Sequence, residues 1–230
     1  MQKRPFGLIN SCYTPIRDQL VSEYWEGVVT KGQQTKQEIV RKAASLFNQK
    51  GYAGTSLSDL MDATGLQKGG IYRHFSGKEE LATEAFDYSW QKAVSGRLEG
   101  VENVPDSVDR LKKMVDNFVD MRTGLVPGGC PLMNTAIEAD DGNALLRNRA
   151  RKALEGWTSR LSGIAAEGIH KHEIDPRIKP RKLAEWIIGS LEGALLISRL
   201  QKDREPLHNA RLNLHEYLEQ NVRAKHARSK

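Results

Sequence analysis

Apolar residues recur along most of the chain at intervals of three and four positions, and alternation of apolar with polar residues is nearly absent. Ile39, Ala43, Leu46 and Phe47, for example, stand at i, i+4, i+7 and i+8. That spacing places them on one side of an α-helix, where they can face a core. The pattern therefore predicts an all-α protein.

The first two helices have recognisable capping residues. Thr35-Lys36-Gln37-Glu38 has the form of a capping box, so we expect the first firm helix to begin at Thr35. Gly51 suits its C-terminal end. Ser56, with Asp59 three residues later, caps the next helix.

A tight turn and a short helix follow. Gly65 supplies the turn, residues 67–75 form the third helix, and we expect Ser76 to cap a long fourth helix. Two helices joined by a glycine turn are typical of a helix-turn-helix motif, whose second helix enters the major groove of DNA.

The chain beyond Gly100 predicts a larger helical region. We expect helices near residues 105–123, 131–140, 143–172, 181–201 and 206–222. The chain then divides into an N-terminal arm (1–30), a helix-turn-helix domain (31–77), a helical domain (78–222) and a basic tail (223–230). Residues 1–30 match no element well, so they are either a disordered arm or an over-long start, in which case residues 1–28 are not native.

Composition narrows the class of protein. The chain of 230 residues is 39% hydrophobic, enough for a core, and its net charge of +6 favours an anionic partner. Residues 31–80 hold eight Lys and Arg against five Asp and Glu. The two cysteines, Cys12 and Cys130, fit a reducing cytosol better than a disulfide framework. The longest apolar run, Ile187 to Leu200, contains Glu192 and is too polar to span a membrane, so we expect a cytoplasmic protein.

The helix after the turn has the chemistry of a DNA reader. Gln67 and Lys68 stand at its N-terminus, where Gln can pair with adenine and Lys with guanine. No acidic residue occupies positions 63–78. Gly69 and Gly70 cost helix propensity, roughly 1 kcal/mol each relative to Ala, which is tolerable where the backbone approaches DNA closely.

Residues 35–88 resemble the N-terminal domain of the TetR family of transcriptional repressors. The matching residues are the helix Ile39–Gly51, Gly51-Tyr52, Thr55-Ser56, Asp59-Leu60, Ala63-Thr64-Gly65-Leu66, Lys68-Gly69-Gly70-Ile71-Tyr72-Arg73-His74-Phe75 and Lys78-Glu79-Glu80-Leu81. The resemblance implies a homodimer with a three-helix DNA-binding domain and a helical ligand-binding and dimerisation domain. In such proteins an effector normally releases the repressor from its operator, a double-stranded DNA site.

The resemblance also implies which residues contact DNA. Gln67, Lys68 and Gly70 would face base edges, although Gly70, where relatives have Ala or a small hydroxylated residue, leaves more of the reading to the other two. Phosphate contacts would come from Tyr72, His74 and Lys78 and from the start of the second helix. The complete predicted set is Thr55, Ser56, Gln67, Lys68, Gly69, Gly70, Tyr72, Arg73, His74 and Lys78.

Methionine, tryptophan and phenylalanine side chains in the larger domain could line an effector pocket between helices, since such residues suit adaptable apolar sites. For any one of them a place in the plain core is the alternative. The predicted pocket residues are Trp90, Met114, Phe118, Met121, Cys130, Met133 and Trp157.

The last two helices have a broad apolar face. In relatives two such helices from each subunit form a four-helix dimer interface, and a two-fold dimer would match a palindromic operator. The predicted interface residues are Trp186, Ile187, Leu191, Ala194, Leu195, Leu214 and Leu218.

Cys130 supports an alternative hypothesis. A cysteine directly before Pro131, at a helix N-terminus, can have a lowered pKa and react with oxidants or electrophiles, as in relatives that sense such compounds. The competing interpretation is a small capping or packing residue.

Two rival classes complete the hypotheses. A metal protein would use the Glu167, His170, His172 and Glu173 side chains near one helix end, but no second cluster completes that set. No nucleophile motif or phosphate-binding loop is present, so we expect neither an enzyme nor a cofactor. The other rival binds DNA without responding to a ligand.

Overall fold

The computed structural model of the chain describes residues 30–120, 126–140 and 142–225. The helices in chain order are α1 (Lys31–Gly54), α2 (Leu57–Thr64), α3 (Lys68–Tyr72), α4 (Lys78–Leu98), a 3₁₀ turn (Val101–Asn103), α5 (Ser107–Asp120), α6 (Pro131–Ala139), α7 (Ala144–His170), α8 (Pro180–Gln201), α9 (Glu205–Tyr217) and a π turn (Leu218–Val222). The all-α prediction is confirmed. The predicted arm, apart from Thr30, and the predicted pocket residue Met121 lie outside the described residues.

The described residues divide into two units, one that ends at Gln37 and one that begins at Glu38. In the first unit, Thr30 and Gln33 form a capping box, in which the N–H of Gln33 donates to the Thr30 hydroxyl at 3.3 Å and the N–H of Thr30 to Gln33 Oε1 at 2.8 Å. The predicted start at Thr35 is therefore wrong. Thr35 lies one turn inside the helix and donates its hydroxyl to the carbonyl of Lys31.

The second unit begins with the helix-turn-helix region, whose caps set its geometry. Ser56 and Asp59 form the predicted capping box at the start of α2, and Gly65 ends α2 with a φ of 71°. Helix α1 kinks at Gly51, where φ is 78°. Ser76 does not cap α4, because Gly77 occupies the N-cap position and Ser76 instead donates to the Glu80 carboxylate.

A small core holds α1 to α4 together. Its buried side chains are Ile39, Val40, Ala43, Ala44, Leu60, Ile71, Phe75, Leu81, Ala85 and Val126. Ile71 and Phe75 fix the inner side of the short recognition region, so the opposite side of α3 faces solvent. Burial rather than helix propensity stabilises α3, which is five residues long and contains two glycines.

A larger core joins α4 to the remaining helices. Helix α8 packs between α7 and α9, and α5 packs against α4, α7 and α9. Arg223, expected in the basic tail, instead belongs to this body, because its guanidinium binds Asp106 at 2.9 Å and Asp109 at 2.6 Å. Within the described ranges, no helix combines the length and the apolar character needed to cross a membrane.

Candidate functional site

The N-terminus of α3 presents polar groups to solvent. Gln67 is the N-cap residue, its side chain makes no capping bond to the helix, and Gln67, Lys68 and Gly69 are all exposed. A Cβ atom added at Gly69 would meet no heavy atom within 4 Å. Packing inside this subunit therefore gives no reason for a glycine there.

Basic and hydrogen-bonding side chains continue along this surface. Arg73 is exposed, and Tyr72, His74 and Lys78 are half-buried. The Lys68 ammonium lies 6.0 Å from the centroid of the Tyr72 ring. The Lys78 ammonium lies 4.4 Å from that of Tyr52, which orients the lysine at the start of α4.

The nearby carboxylate of Asp59 is occupied within the fold. Lys50 Nζ lies 2.5 Å from its Oδ1, and Ser56 donates to its Oδ2. These bonds, first that from Lys50, hold the pKa of Asp59 below its usual range. The carboxylate at the start of α2 is thus paired within the fold.

Thr55 has to be removed from the predicted phosphate contacts. Its side chain is fully buried, and its hydroxyl donates to the carbonyl of Gly51 at 2.6 Å. The hydroxyl fastens the kink between α1 and α2 and cannot also face a phosphate. Ser56, the next residue, is exposed.

The predicted pocket residues surround a buried arginine. The Arg97 guanidinium carbon lies 5.3 Å from the Trp90 ring centroid, 4.5 Å from that of Phe118 and 5.4 Å from that of Trp157. Cys130 also contacts this guanidinium, since Nη2 donates to Sγ at 3.2 Å. The structure therefore brings together four of the predicted residues. Met114 is buried and Met133 half-buried in the same core.

Arg97 pairs with a buried glutamate. Nη2 of Arg97 lies 3.4 Å from Oε1 of Glu192, and the Cys130 thiol donates to the same oxygen at 2.9 Å. The two charged side chains are 4% and 8% exposed. Burial raises the pKa of the Glu192 carboxyl, which Arg97 partly counteracts.

Sequence reasoning missed Arg97 and Glu192, although the helical period points to both. Leu81, Ala85, Ser89 and Ala93 follow one another at intervals of four on the buried side of α4, and Arg97 is the next position. Glu192 likewise lies on the buried side of α8. The signal available in the sequence is a charged residue at a position that the helical period predicts to be buried.

Cys130 does not have the lowered pKa that the sensor hypothesis requires. Cys130 is the N-cap residue of α6, but its side chain makes no capping bond. Burial instead raises the pKa of the thiol to about 11. Desolvation therefore outweighs both the helix N-terminus and the nearby guanidinium.

Helix α6 runs from this buried cluster to the helix-turn-helix region. At its far end the Glu138 carboxylate accepts the backbone N–H groups of Tyr52 and Ala53, both at 2.8 Å. One turn earlier, the Asn134 amide donates to the carbonyl and to the side-chain oxygen of Asn48, both at 3.0 Å. A shift of α6 would therefore act on the segment that leads into α2.

A cleft open to solvent lies beside these contacts and is lined by residues of α1, α4, α6 and α7. Part of the cleft wall is apolar and is formed by Phe47, Phe86 and Leu146. Glu138 also lines the cleft. The predicted pocket residues are not among those that line it. It is thus a separate opening between the helix-turn-helix region and the body.

Most of the predicted dimer residues lie inside the subunit. Ile187, Leu191, Ala194, Leu195, Leu214 and Leu218 are buried in the core of their own chain. Assigning them to a dimer interface was wrong, because they occupy the inner sides of α8 and α9. Trp186 is the exception, since it is 42% exposed and its ring centroid lies 4.5 Å from that of Tyr217.

The outer sides of the same helices are apolar as well. The exposed large side chains there are Trp186, Leu196, Ile197, Leu200, Leu212 and Tyr217. We call these six residues the outer apolar face. The helical spacing places Gly189 and Gly193 of α8 beside this face. A Cβ atom added at either glycine would meet no heavy atom within 4 Å.

The residues of the rival metal site have other partners. Glu167 pairs with Arg110 and Lys171, and Glu173 accepts the backbone N–H of Ser107 at 2.8 Å. In the part of the chain that the structure describes, no three potential ligands come close enough to hold a metal ion.

Comparisons with known proteins match both regions. Residues 39–85 match the family model of bacterial regulatory proteins of the tetR family, and residues 107–214 match that of the tetracyclin repressor-like C-terminal domain. A TetR transcriptional regulator from Chloroflexus aurantiacus is 43% identical with a TM-score of 0.81, over 85% of this chain and 99% of that one. A TetR-family regulator from Cytophaga hutchinsonii is 36% identical with a TM-score of 0.81, over 86% and 100%. The HTH-type transcriptional repressor DhaR from Mycobacterium sp. is 27% identical over 75% of this chain and 86% of its own length.

Proposed function

The chain belongs to the TetR family of bacterial DNA-binding transcriptional regulators, and we propose that it is a repressor that a small-molecule effector releases from its operator. One observation supports its DNA-binding role most directly. The N-terminus of α3 presents Gln67 and Lys68 to solvent, and the Gln67 side chain makes no capping bond to the helix. We assign the protein no enzymatic role, and its place of action is the cytoplasm, where the DNA is.

The contacts with DNA divide into two kinds. Gln67 and Lys68 read base edges, since both lie at the exposed helix end that enters the major groove. Tyr72, His74 and Lys78 position the helix on phosphates, and Arg73 adds positive charge. Gly69, which no internal contact constrains, lets the backbone approach the duplex. Gly70 also lacks a side chain that could contact a base.

A second copy of this chain is the partner that the outer apolar face fits. The face spans α8 and α9, and Gly189 and Gly193 leave room for close approach of another helix. Two subunits related by a two-fold axis would present two α3 helices to one palindromic site. This face replaces the interface that the sequence suggested.

The effector acts through the cluster around Arg97. Trp90, Phe118 and Trp157 provide apolar surface there, and Cys130 links the cluster to the first turn of α6. Displacement of α6 would disturb the bonds from Glu138 to Tyr52 and Ala53 and so change the position of the reading helix.

A second candidate makes Cys130 the sensor of oxidants or electrophiles. The supporting observation is the position of the thiol at the N-cap of α6, 3.2 Å from Nη2 of Arg97, whose positive charge lowers the thiol pKa against the larger effect of burial. Cys130→Ser then abolishes operator release by an electrophile. Unchanged release in this variant would end the candidate.

The proposal is tested by DNA binding of the purified full chain to a site selected from random duplexes. Lys68→Ala should weaken sequence-specific binding. Lys78→Ala should reduce, by about one unit, the slope of the logarithm of DNA affinity against the logarithm of salt concentration. Lys152→Ala, which removes an exposed charge from α7, is the matched control. A compound library is then screened for release.

The results separate three classes of protein. Specific binding that one compound abolishes supports the effector-released repressor. Specific binding that no compound affects supports a ligand-independent DNA-binding protein. Salt-sensitive binding without sequence preference supports an architectural role and contradicts the proposal.

A further inference from the structure

The Arg97–Glu192 pair is only half satisfied. It is joined through one atom of each group, Nη2 and Oε1, at 3.4 Å. The second atoms, Nη1 of Arg97 and Oε2 of Glu192, are buried and have no hydrogen-bond partner among the described residues. Buried polar atoms are nearly always paired in folded proteins, so two orphans on neighbouring groups indicate a site for a further molecule.

Cys130 shows which chemistry fits between the two charges. Its sulfur accepts from Nη2 of Arg97 at 3.2 Å, and its S–H donates to Oε1 of Glu192 at 2.9 Å. The thiol is therefore an uncharged group that accepts from the guanidinium and donates to the carboxylate. The unpaired atoms are a donor on Arg97 and an acceptor on Glu192. A group bound between them would therefore need one acceptor and one donor, as the thiol has.

We propose that Arg97 and Glu192 are the polar recognition pair of the effector site, and that the effector is a small apolar molecule with one uncharged head group that has an acceptor beside a donor. A carboxamide has this arrangement, with its carbonyl oxygen on Nη1 and its N–H on Oε2. The inference rests on the proposed function in one respect, namely that the protein has an effector.

The charge of the site excludes ionic head groups. The guanidinium and the carboxylate cancel, and both are more than nine-tenths buried. An additional carboxylate or ammonium would remain unmatched in surroundings that hydrate it poorly. A ligand that only accepts would leave Glu192 unsatisfied, and this also costs affinity.

The walls of the site determine the rest of the ligand. Three aromatic rings stand within 5.4 Å of the Arg97 guanidinium carbon. The part of the effector next to its head group is therefore apolar. Because Cys130 immediately precedes α6, a ligand here also lies where it can displace that helix.

The test uses four probes of equal size that differ in the head group, namely benzamide, benzoate, benzamidinium and acetophenone. Binding to the full chain is measured by calorimetry at neutral pH. Hexanamide, hexanoate and hexylammonium repeat the comparison on an aliphatic body. We expect each amide to bind about tenfold or more tightly than the ions of the same body.

Two variants connect the preference to the pair. Glu192→Gln leaves the Arg97 charge without its carboxylate, so benzoate gains affinity relative to benzamide. In the double variant Arg97→Gln, Glu192→Gln the site is uncharged again and the preference for the amide returns. Glu155→Gln, at an exposed carboxylate of α7, is the matched control and keeps the wild-type order.

The outcomes are distinguishable from those of the proposed function. Preference for the amides in the wild type, inverted by Glu192→Gln alone, supports the inference. It is overturned if an ion or acetophenone binds as well as benzamide, if neither amide binds, or if Glu192→Gln keeps the wild-type order. If another compound releases the protein from DNA in any of those cases, the proposed function stands without this effector class.

Discussion

The Glu138 carboxylate of α6 accepts the backbone N–H of Tyr52 at 2.8 Å, and this bond ties the body of the protein to the end of α1. A neighbouring bond from Ala53 makes the contact bidentate. The tie holds the backbone directly after the kink at Gly51, four residues before the N-cap of α2. It is therefore the contact through which movement of α6 would reach the DNA-binding helices.

Glu138→Gln tests this tie. The neutral amide accepts more weakly than the carboxylate, so we expect a loss of about 1 kcal/mol in the free energy of unfolding, measured by urea denaturation. We also expect a smaller effect of the effector on DNA affinity. Glu155→Gln, whose carboxylate makes only an exposed pair with Arg151, is the control. Equal effects of the two substitutions would exclude a special role of Glu138.

Thr55 is expected to matter for stability and not for phosphate binding. Thr55→Val removes the buried hydroxyl that binds Gly51 and should lower the free energy of unfolding by about 1 kcal/mol. At temperatures where the variant is folded, the slope of DNA affinity against salt should equal that of the wild type. A slope reduced by about one unit would restore Thr55 to the phosphate contacts.

The raised pKa of Cys130 predicts slow alkylation at neutral pH. In a Cys12→Ser background Cys130 is the only thiol, and its rate of reaction with iodoacetamide should increase with pH up to about 11. The unfolded chain, whose thiol has its ordinary pKa, should react much faster near pH 8. A folded-state rate that levels off below pH 9 would contradict the buried thiol.

The same pKa affects stability. Because the thiol pKa is higher in the folded than in the unfolded chain, the unfolded chain loses its proton first as the pH rises. The contribution of the protonated thiol to the free energy of unfolding is complete below about pH 8. It is lost between the ordinary thiol pKa and about 11. Cys130→Ser should therefore flatten the fall in unfolding free energy over this range. If the unfolding free energy of the variant falls as steeply as that of the wild type, groups other than Cys130 cause the fall.

The outer apolar face predicts a specific dimer. Leu200 is 76% exposed, so Leu200→Glu should leave the fold intact and shift the mass measured by light scattering to that of a monomer. Leu145, which is 54% exposed on α7, provides the control Leu145→Glu, which should remain dimeric. A monomeric wild type, or dissociation by the control alone, would contradict this interface.

The sequence predicted best what depends on local pattern. The cap at Ser56, the turn at Gly65 and the all-α class follow from neighbouring residues and appear in the structure. The interface residues could not be predicted in the same way. The inner and outer sides of α8 are both apolar, so periodicity does not distinguish Leu191, which is buried, from Leu196, which is exposed.

The chemistry of the buried site was also only partly predictable. Trp90, Phe118, Trp157 and Cys130 follow from residue type, but Arg97 was not expected among them. The sequence left the pKa of Cys130 open. Proximity to a helix N-terminus is visible in the sequence, whereas near-complete burial beside Glu192 appears only when helices from distant parts of the chain pack together.

The central claim is that α3 reads a defined DNA sequence, and the most direct measurement is selection of duplexes by the purified full chain, repeated with Gln67→Ala. The wild type should enrich a two-fold symmetric site whose half-sites are separated by one helical turn, about 34–36 Å, or a multiple of it. The variant should lose preference at one base pair in each half-site and keep the rest of the site. Enrichment of no sequence by the wild type, or an identical site for both proteins, would contradict the claim.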